Sequence, residues 1–344
     1  MIEMSAPGPL LVDIEGTELT AADRQLLGDP AVGGVILFTR NYRNPQQLFA
    51  LTEAMRAARP NLLIVADYEG GRVQRFRDGF TPIPPMQSLG RVWLEDPAAA
   101  RSAAAELAWL VAMELADVGI DMPLAPVADL DYGNSEVIGS RAFGEAPAAV
   151  AELAIVFARA LAEAGSPATA KHFPGHGYVV ADSHAELPVD ERPIEALAED
   201  WAPFADLIDQ GVASVMMAHV RYPAVDDRPA SLSKLWIEDI LRAQLGFAGC
   251  VFCDDLSMGA AASLGDYAER VRAALDAGCD YLPVCNDREA ALAACATVAG
   301  CDADRGTSRR QALQARVAPR PRVADDERRR QAARETAAQL MGAA

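Results

Sequence analysis

Residues 249–260 read GCVFCDDLSMGA, in which the apolar run Cys250 to Asp254 stops at two consecutive carboxylates, Asp254 and Asp255. A continuous run of this kind reads as a strand buried on both faces. Charge at its end is expensive to desolvate unless it is paired or used. Strand alternation sends the two acids to different faces, so one is expected to point into a site, and the pattern leaves open which. The same form recurs along the chain. Its counterparts are Pro9 to Ile14, Gly34 to Phe38, Leu62 to Asp67, Met122 to Asp129, Ala168 to Phe173, Ala213 to His219 and Asp280 to Cys285.

Segments with helical spacing lie between these runs. Asn44-Pro45 supplies a cap and a first-turn proline for a helix with Leu48, Leu51 and Met55 on one face. Ser102 to Val118 carries Leu107, Leu110, Val111 and Leu115 and ends at Gly119. Pro147 opens a helix that buries Val150, Leu153, Phe157 and Leu161 and closes at Gly165. Tyr267, Val271 and Leu275 form a further stripe that stops at Gly278. Strand and helix in alternation predict an α/β fold, either a single (β/α)8 TIM-type barrel over residues 1–302 or a doubly wound open sheet. The barrel is favoured because Asp67, Asp129, Lys171, His172, His219, Asp254 and Asp255 all fall at the C-terminal ends of predicted strands. On that face barrel loops converge on a substrate.

The 344 residues hold 31 Lys and Arg against 49 Asp and Glu, a formal net charge of −18. So acidic a chain is repelled by nucleic acid and by anionic lipid surfaces. The N-terminus has no basic region and no long apolar run, which predicts a cytoplasmic protein. All six cysteines lie between Cys250 and Cys301, without paired metal-type spacing, and read as reduced, buried thiols. Residues 303–344 are rich in arginine, interleaved with acids, and are expected to form a short, solvated C-terminal helical appendage.

The scarce ionisable residues cluster. Lys171, His172, His176 and His184 fall in KHFPGHGYVVADSH, where Gly175 and Gly177 let the loop take up geometries closed to other residues. Asp182 and His184, two apart, suit a carboxylate that orients an imidazole for proton transfer near neutral pH. In VADYEGGRVQRFR a strand gives way to Gly70-Gly71 and then to Arg72 and Arg75. The spacing fits no phosphate loop, and Asp67 with Arg75 suits recognition of hydroxyls by bidentate hydrogen bonds. Arg141, in NSEVIGSRAFG, is a further candidate.

In this order, DYEGGRVQR, VIGSRAFG, KHFPGHG with ADSH, MMAH, FCDDLSMGA and AGCDYLPVC resemble the bacterial β-N-acetylglucosaminidases of glycoside hydrolase family 3, the cell-wall recycling type. The resemblance covers Val12 to Asn286. It implies a barrel that removes terminal GlcNAc from a small muropeptide or disaccharide, with no metal or organic cofactor. Asp254 then matches the nucleophile, and His184, partnered by Asp182, the acid/base. Asp67, Arg75, Arg141, Lys171 and His172 match sugar-binding positions. Tyr68 stands where Gln is frequent, and Cys253 where Ser or Thr is. The expected protein is a monomer or weak homo-oligomer. Two other readings draw on the same residues: a metal-dependent hydrolase using His172, His176, His184 and Asp254 as ligands, and a non-catalytic sugar-binding module.

Overall fold

The apolar runs form eight parallel strands: β1 (Leu10–Val12), β2 (Val32–Leu37), β3 (Leu63–Ala66), β4 (Met122–Pro123), β5 (Thr169–Phe173), β6 (Ser214–Met217), β7 (Cys250–Phe252) and β8 (Leu282–Val284). The computed structural model describes residues 6–183, 186–262, 264–301, 305–318 and 323–342. Regular pairing gives a five-stranded sheet, β8-β1-β2-β3-β4, and a three-stranded sheet, β5-β6-β7. The continuous eight-strand ladder implied by the alternation is therefore not found. Its interruption has a local cause, since Pro123 and Pro126 have no N–H to donate and cut β4 to two residues. Beyond the prolines a single parallel bridge joins Val127 to Lys171, and another joins Phe252 to Tyr281. The two sheets thus meet at both edges.

The helices follow the expected pattern. Asn44 accepts a hydrogen bond from the Gln47 N–H and Pro45 starts the helix Pro45–Ala58. In Pro147–Glu163, Val150, Leu153, Phe157 and Leu161 are all buried. Tyr267–Ala277 opens on a capping box between Asp266 and Glu269 and ends at Gly278, whose φ of +109° requires glycine. The helix expected from Ser102 instead spans Pro97–Ala116, because Asp96 accepts from the Ala98 and Ala99 amides and Pro97 takes the first turn. That is the same signal as Asn44-Pro45. Among the described residues no helix is long and apolar enough to cross a membrane. Of the six cysteines, all free, Cys301 alone is partly exposed.

Two apolar clusters build the core. The larger lies between strands and helices; the smaller takes Leu11, Ile36, Leu63, Met122, Met216 and Phe252 from strands of both sheets. Leu313, from helix Thr307–Ala315, joins the smaller one. The solvated appendage expected for residues 303–344 is accordingly corrected. Arg310 has no exposed surface and donates to the Pro7 carbonyl at 2.8 Å and the Arg305 carbonyl at 2.9 Å. In helix Asp326–Gly342, Ala333 and Ala337 are buried, while Arg329 and Arg330 pair with Glu106 and Asp117 at 2.9 and 2.7 Å. Acids of the body recruit these arginines as partners, and burial of the small side chains between them docks the helix.

Candidate active site

A cavity of about 880 Å³ opens at the C-terminal ends of the strands. Asp67 follows β3 and leads into a tight hairpin in which Tyr68–Gly70 pairs with Val73–Gln74. Alternation sends Asp67 and Glu69 to the cavity, while Tyr68 goes the other way, fully buried among Phe76, Phe80 and Gln74. The departures at Tyr68 and Cys253 thus concern buried packing behind the cavity wall. Gly70 and Gly71, with φ of +101° and +55°, make the turn that returns Arg72 and Arg75.

The carboxylates meet cations from β5, from the residue after their own hairpin and from the short helical turn Gly139–Arg141. Lys171, buried in β5, places Nζ 3.0 Å from Asp67 and 2.5 Å from Glu69. Arg75 donates to Asp67 at 2.6 Å. Arg141 forks onto Glu69 through Nε at 2.7 Å and Nη2 at 2.8 Å, and its Nη1 donates to the Val137 carbonyl. Burial alone would raise Asp67, but Lys171 and Arg75 outweigh it and hold its carboxyl below the usual range. Glu69, buried likewise, is brought down to about 2 by Arg141 and Lys171. Burial disfavours the Lys171 ammonium, yet Glu69 and Asp67 raise its pKa. The result is a fully ionised, polar wall.

A second network runs through Asp129, at the end of the Met122 to Asp129 run and fully buried. It accepts from the His172 and His176 amides and meets His172 Nδ1 at 2.7 Å. Burial would raise this carboxyl; His172 and His176 lower it. His172 Nε2 faces Arg141 at 3.4 Å. His176, held down to about 4 by burial and by His172, sits 3.0 Å from Ser183 Oγ. Ser183 in turn accepts the Ala260 N–H at its carbonyl, which carries Asp182 to the cavity rim. The loop is close-packed at Gly177, where a Cβ would meet the Leu130 carbonyl oxygen at 1.7 Å. His184 lies outside the described residues.

Both Asp254 and Asp255 line the cavity, contrary to the expectation that one would point away. β7 ends at Phe252, so strand alternation no longer applies two residues later. Their environments differ. Asp255 Oδ1 accepts from the Ser257 N–H and hydroxyl at 2.9 and 2.8 Å and from the Cys285 N–H at 3.3 Å, and the Asp255 N–H donates to Asp254 Oδ1 at 2.9 Å. Burial pushes the Asp255 carboxyl up to about 7, against the Ser257 hydrogen bonds and with the nearby Asp254 charge adding to the rise.

The Glycosyl hydrolase family 3 N terminal domain matches residues 8–318. The chain belongs to glycoside hydrolase family 3. The match reaches past the boundary at residue 302 and includes the helix bearing Arg310. The β-hexosaminidase of Thiobacillus denitrificans is 54% identical over 286 residues, 83% of this chain and 80% of that one. The β-hexosaminidase of Bordetella avium is 54% identical over 283 residues, 81% of each. Among solved structures, NagZ from Neisseria gonorrhoeae in complex with N-trifluoroacetyl-D-glucosamine matches with a TM-score of 0.89 at 42% identity, covering 97% of this chain and 98% of that one. A family 3 β-N-acetylglucosaminidase from Paenibacillus gives 0.88 at 32% identity, covering 99% and 68%.

In this glycoside hydrolase the cavity gathers Asp67, Arg75, Arg141, Lys171, His172, Asp182 and Asp254, every described residue to which the resemblance gives a catalytic or sugar-binding role, whereas the strand-end residues Asp129 and His219 do not line it. Arg141, a further candidate in the sequence, is largely buried and doubly bonded to Glu69. Sequence reasoning missed Glu69 and did not assign Asp129 a role. Glu69 had a readable signal, lying two residues from Asp67 on one strand face. Asp129 had one as well, an acid closing an apolar run. His172 and His176 are committed to Asp129 and Ser183, and no group of three or more His, Cys, Asp or Glu is arranged to hold a metal among the described residues.

Proposed function

We propose that this glycoside hydrolase is a retaining exo-β-N-acetylglucosaminidase that removes terminal GlcNAc from GlcNAc-1,6-anhydroMurNAc, with or without peptide, in peptidoglycan recycling. The observation that carries this reading is the near full-length likeness to a NagZ structure holding an N-acylated glucosamine. The ionised wall around Asp67 and Lys171 supports it, because fixed acids and cations recognise hydroxyls by paired hydrogen bonds. We read the two sheets, joined edge to edge by single bridges, as one (β/α)8 barrel with the cavity at its usual face.

In this mechanism Asp254 attacks the anomeric carbon while His184, oriented by Asp182, protonates the departing oxygen. Water then attacks the glycosyl ester, His184 takes its proton, and Asp254 is released with the sugar's configuration retained. Proton transfer alone is worth on the order of 10²–10⁴-fold. Asp67, Arg75, Lys171, Arg141 and His172 hold the sugar. The chemistry uses side chains throughout and calls for no metal or organic cofactor. A soluble muropeptide fragment as substrate goes with a cytoplasmic protein that acts as a monomer or weak homo-oligomer, without nucleic acid or membrane.

A chromogenic panel of β-GlcNAc, β-glucoside and β-xyloside tests the sugar. Turnover of the GlcNAc glycoside at least tenfold above the others is expected. A preference for glucoside or xyloside would overturn the assignment in favour of another family 3 specificity.

A further inference from the structure

His219 lies two residues beyond the end of β6, has no exposed surface and does not line the cavity, so the proposed mechanism leaves it without a role. Its ring is nonetheless fixed at both nitrogens. Nε2 lies 3.0 Å from the Asp255 carbonyl oxygen, and Nδ1 lies 2.5 Å from Ser231 Oγ. A carbonyl oxygen can only accept, so Nε2 carries a proton, and Nδ1 shares a hydrogen bond with the Ser231 hydroxyl.

The residue that His219 holds is itself a hub. Asp255 is tied through its carbonyl to the segment that follows β6, to the end of β8 through the Cys285 N–H, and to its own turn through Ser257. Its N–H is the donor to Asp254 Oδ1. Movement of the Asp255 backbone would therefore move a hydrogen bond that orients the Asp254 carboxylate. Ser231 is held in its turn, its N–H donating to the Ala218 carbonyl and its carbonyl accepting from the Cys279 thiol.

We propose that His219, set by Ser231, is a positioning residue for the nucleophile, acting through Asp255 to fix the Asp254 carboxylate for attack. This rests on the reading of Asp254 as nucleophile. A displacement near 1 Å at a reacting group costs on the order of 10²-fold. Loss of the ring should therefore slow glycosylation by about that factor and leave ground-state sugar binding, which uses Asp67 and Lys171, almost unchanged.

The test uses a fluorinated N-acetylglucosaminyl fluoride on the full chain. Asp254 forms a bond to the anomeric carbon, the carbon–fluorine bond breaks, and fluoride leaves with its electron pair. Fluoride release gives the rate, and peptide mapping gives the labelled residue. His219→Leu is expected to slow labelling of Asp254 about 10²-fold with Kd for free GlcNAc within threefold of the parent. His219→Gln, whose amide N–H can reach the same carbonyl, should recover most of the rate, and Ser231→Ala should fall between. If His219→Leu does not fold, the glutamine and Ser231 variants carry the comparison, and equal rates in parent and Ser231→Ala overturn the proposal. Labelling of Asp254 at an unchanged rate in His219→Leu also overturns it, while labelling of a residue other than Asp254 in the parent overturns both it and the nucleophile assignment.

Discussion

Arg141 grips Glu69 through two nearly equal hydrogen bonds, 2.7 and 2.8 Å, with both side chains withdrawn from solvent. Lys171 Nζ joins the arrangement at Oε1, the oxygen that also accepts from Arg141 Nη2. Two cations from separate loops and strands are thus held by one acid that has no proposed chemistry of its own. Removing one partner of a buried pair leaves the others charged and uncompensated, a loss of about 3–5 kcal/mol. Glu69→Gln should therefore lower unfolding free energy by roughly that amount and raise KM for an aryl β-GlcNAc glycoside more than it lowers kcat. Denaturant titration and steady-state kinetics check it. Stability within 1 kcal/mol of the parent, with KM unmoved, would show that the fork is ornamental.

Asp254→Asn should abolish turnover, because an amide cannot form the glycosyl ester, whereas Asp255→Asn should keep measurable activity. The structure gives the second half its reason. An amide oxygen at residue 255 can still accept from Ser257 and from the Cys285 N–H, so the turn survives. Kinetics of the two purified variants decide this, and an inert Asp255→Asn beside an active Asp254→Asn would reverse the roles.

The raised carboxyl of Asp255 also predicts a pH dependence of stability. With a folded pKa of about 7 against an ordinary 3.8, the native state holds a proton that the unfolded state has released between those values. This group therefore subtracts stability progressively as pH rises from about 4 to 7 and no further above that. Asp255→Asn should flatten that part of the curve. Thermal melts of both proteins at half-unit intervals measure the slope, and a parallel pair of curves would refute the shift.

Much of the strand and helix order was legible because burial on both faces leaves unbroken apolar runs, and because Asn44-Pro45 and Asp266 with Gly278 are local signals. The start of helix Pro97–Ala116 was legible too, at Asp96-Pro97, but the stronger apolar stripe further on drew the reading to Ser102. Site residues on strand ends could be read one by one. Their partners could not, since Glu69 meets Arg141 across 72 residues of chain and only the fold brings them together. The C-terminal arginines misled for a related reason: their acids, Glu106, Asp117 and Asp280, lie on distant elements.

Arg310 tests that correction. Its guanidinium satisfies the Pro7 and Arg305 carbonyls and Thr307 Oγ1 in a place closed to water. Each buried acceptor left without a donor costs about 1–3 kcal/mol. Arg310→Ala should lower unfolding free energy by several of these increments, whereas Arg328→Ala, at an exposed pair, should change it by well under about 1 kcal/mol. Equal, negligible effects in denaturant titrations would restore the picture of a loosely attached tail.

The last prediction concerns the substrate's own acetamide, which in other hexosaminidase families attacks the anomeric carbon and makes an enzymic nucleophile unnecessary. Such a route needs a carboxylate free to orient the acetamide, next to the group that protonates the leaving oxygen. Asp254 and Asp255 offer an adjacent pair, and both reach the cavity. Asp255, however, commits Oδ1 to three donors of the protein, and its raised pKa leaves it largely uncharged below pH 7, when a carboxylate is what the acetamide N–H requires. In the proposed mechanism Asp254 is then the group that attacks, with proton transfer assigned to His184. A covalent glycosyl-enzyme and weak inhibition by thiazolines that mimic the cyclised acetamide are expected. Tight thiazoline inhibition, together with failure to isolate any glycosylated peptide containing Asp254, would transfer the nucleophile's role to the substrate.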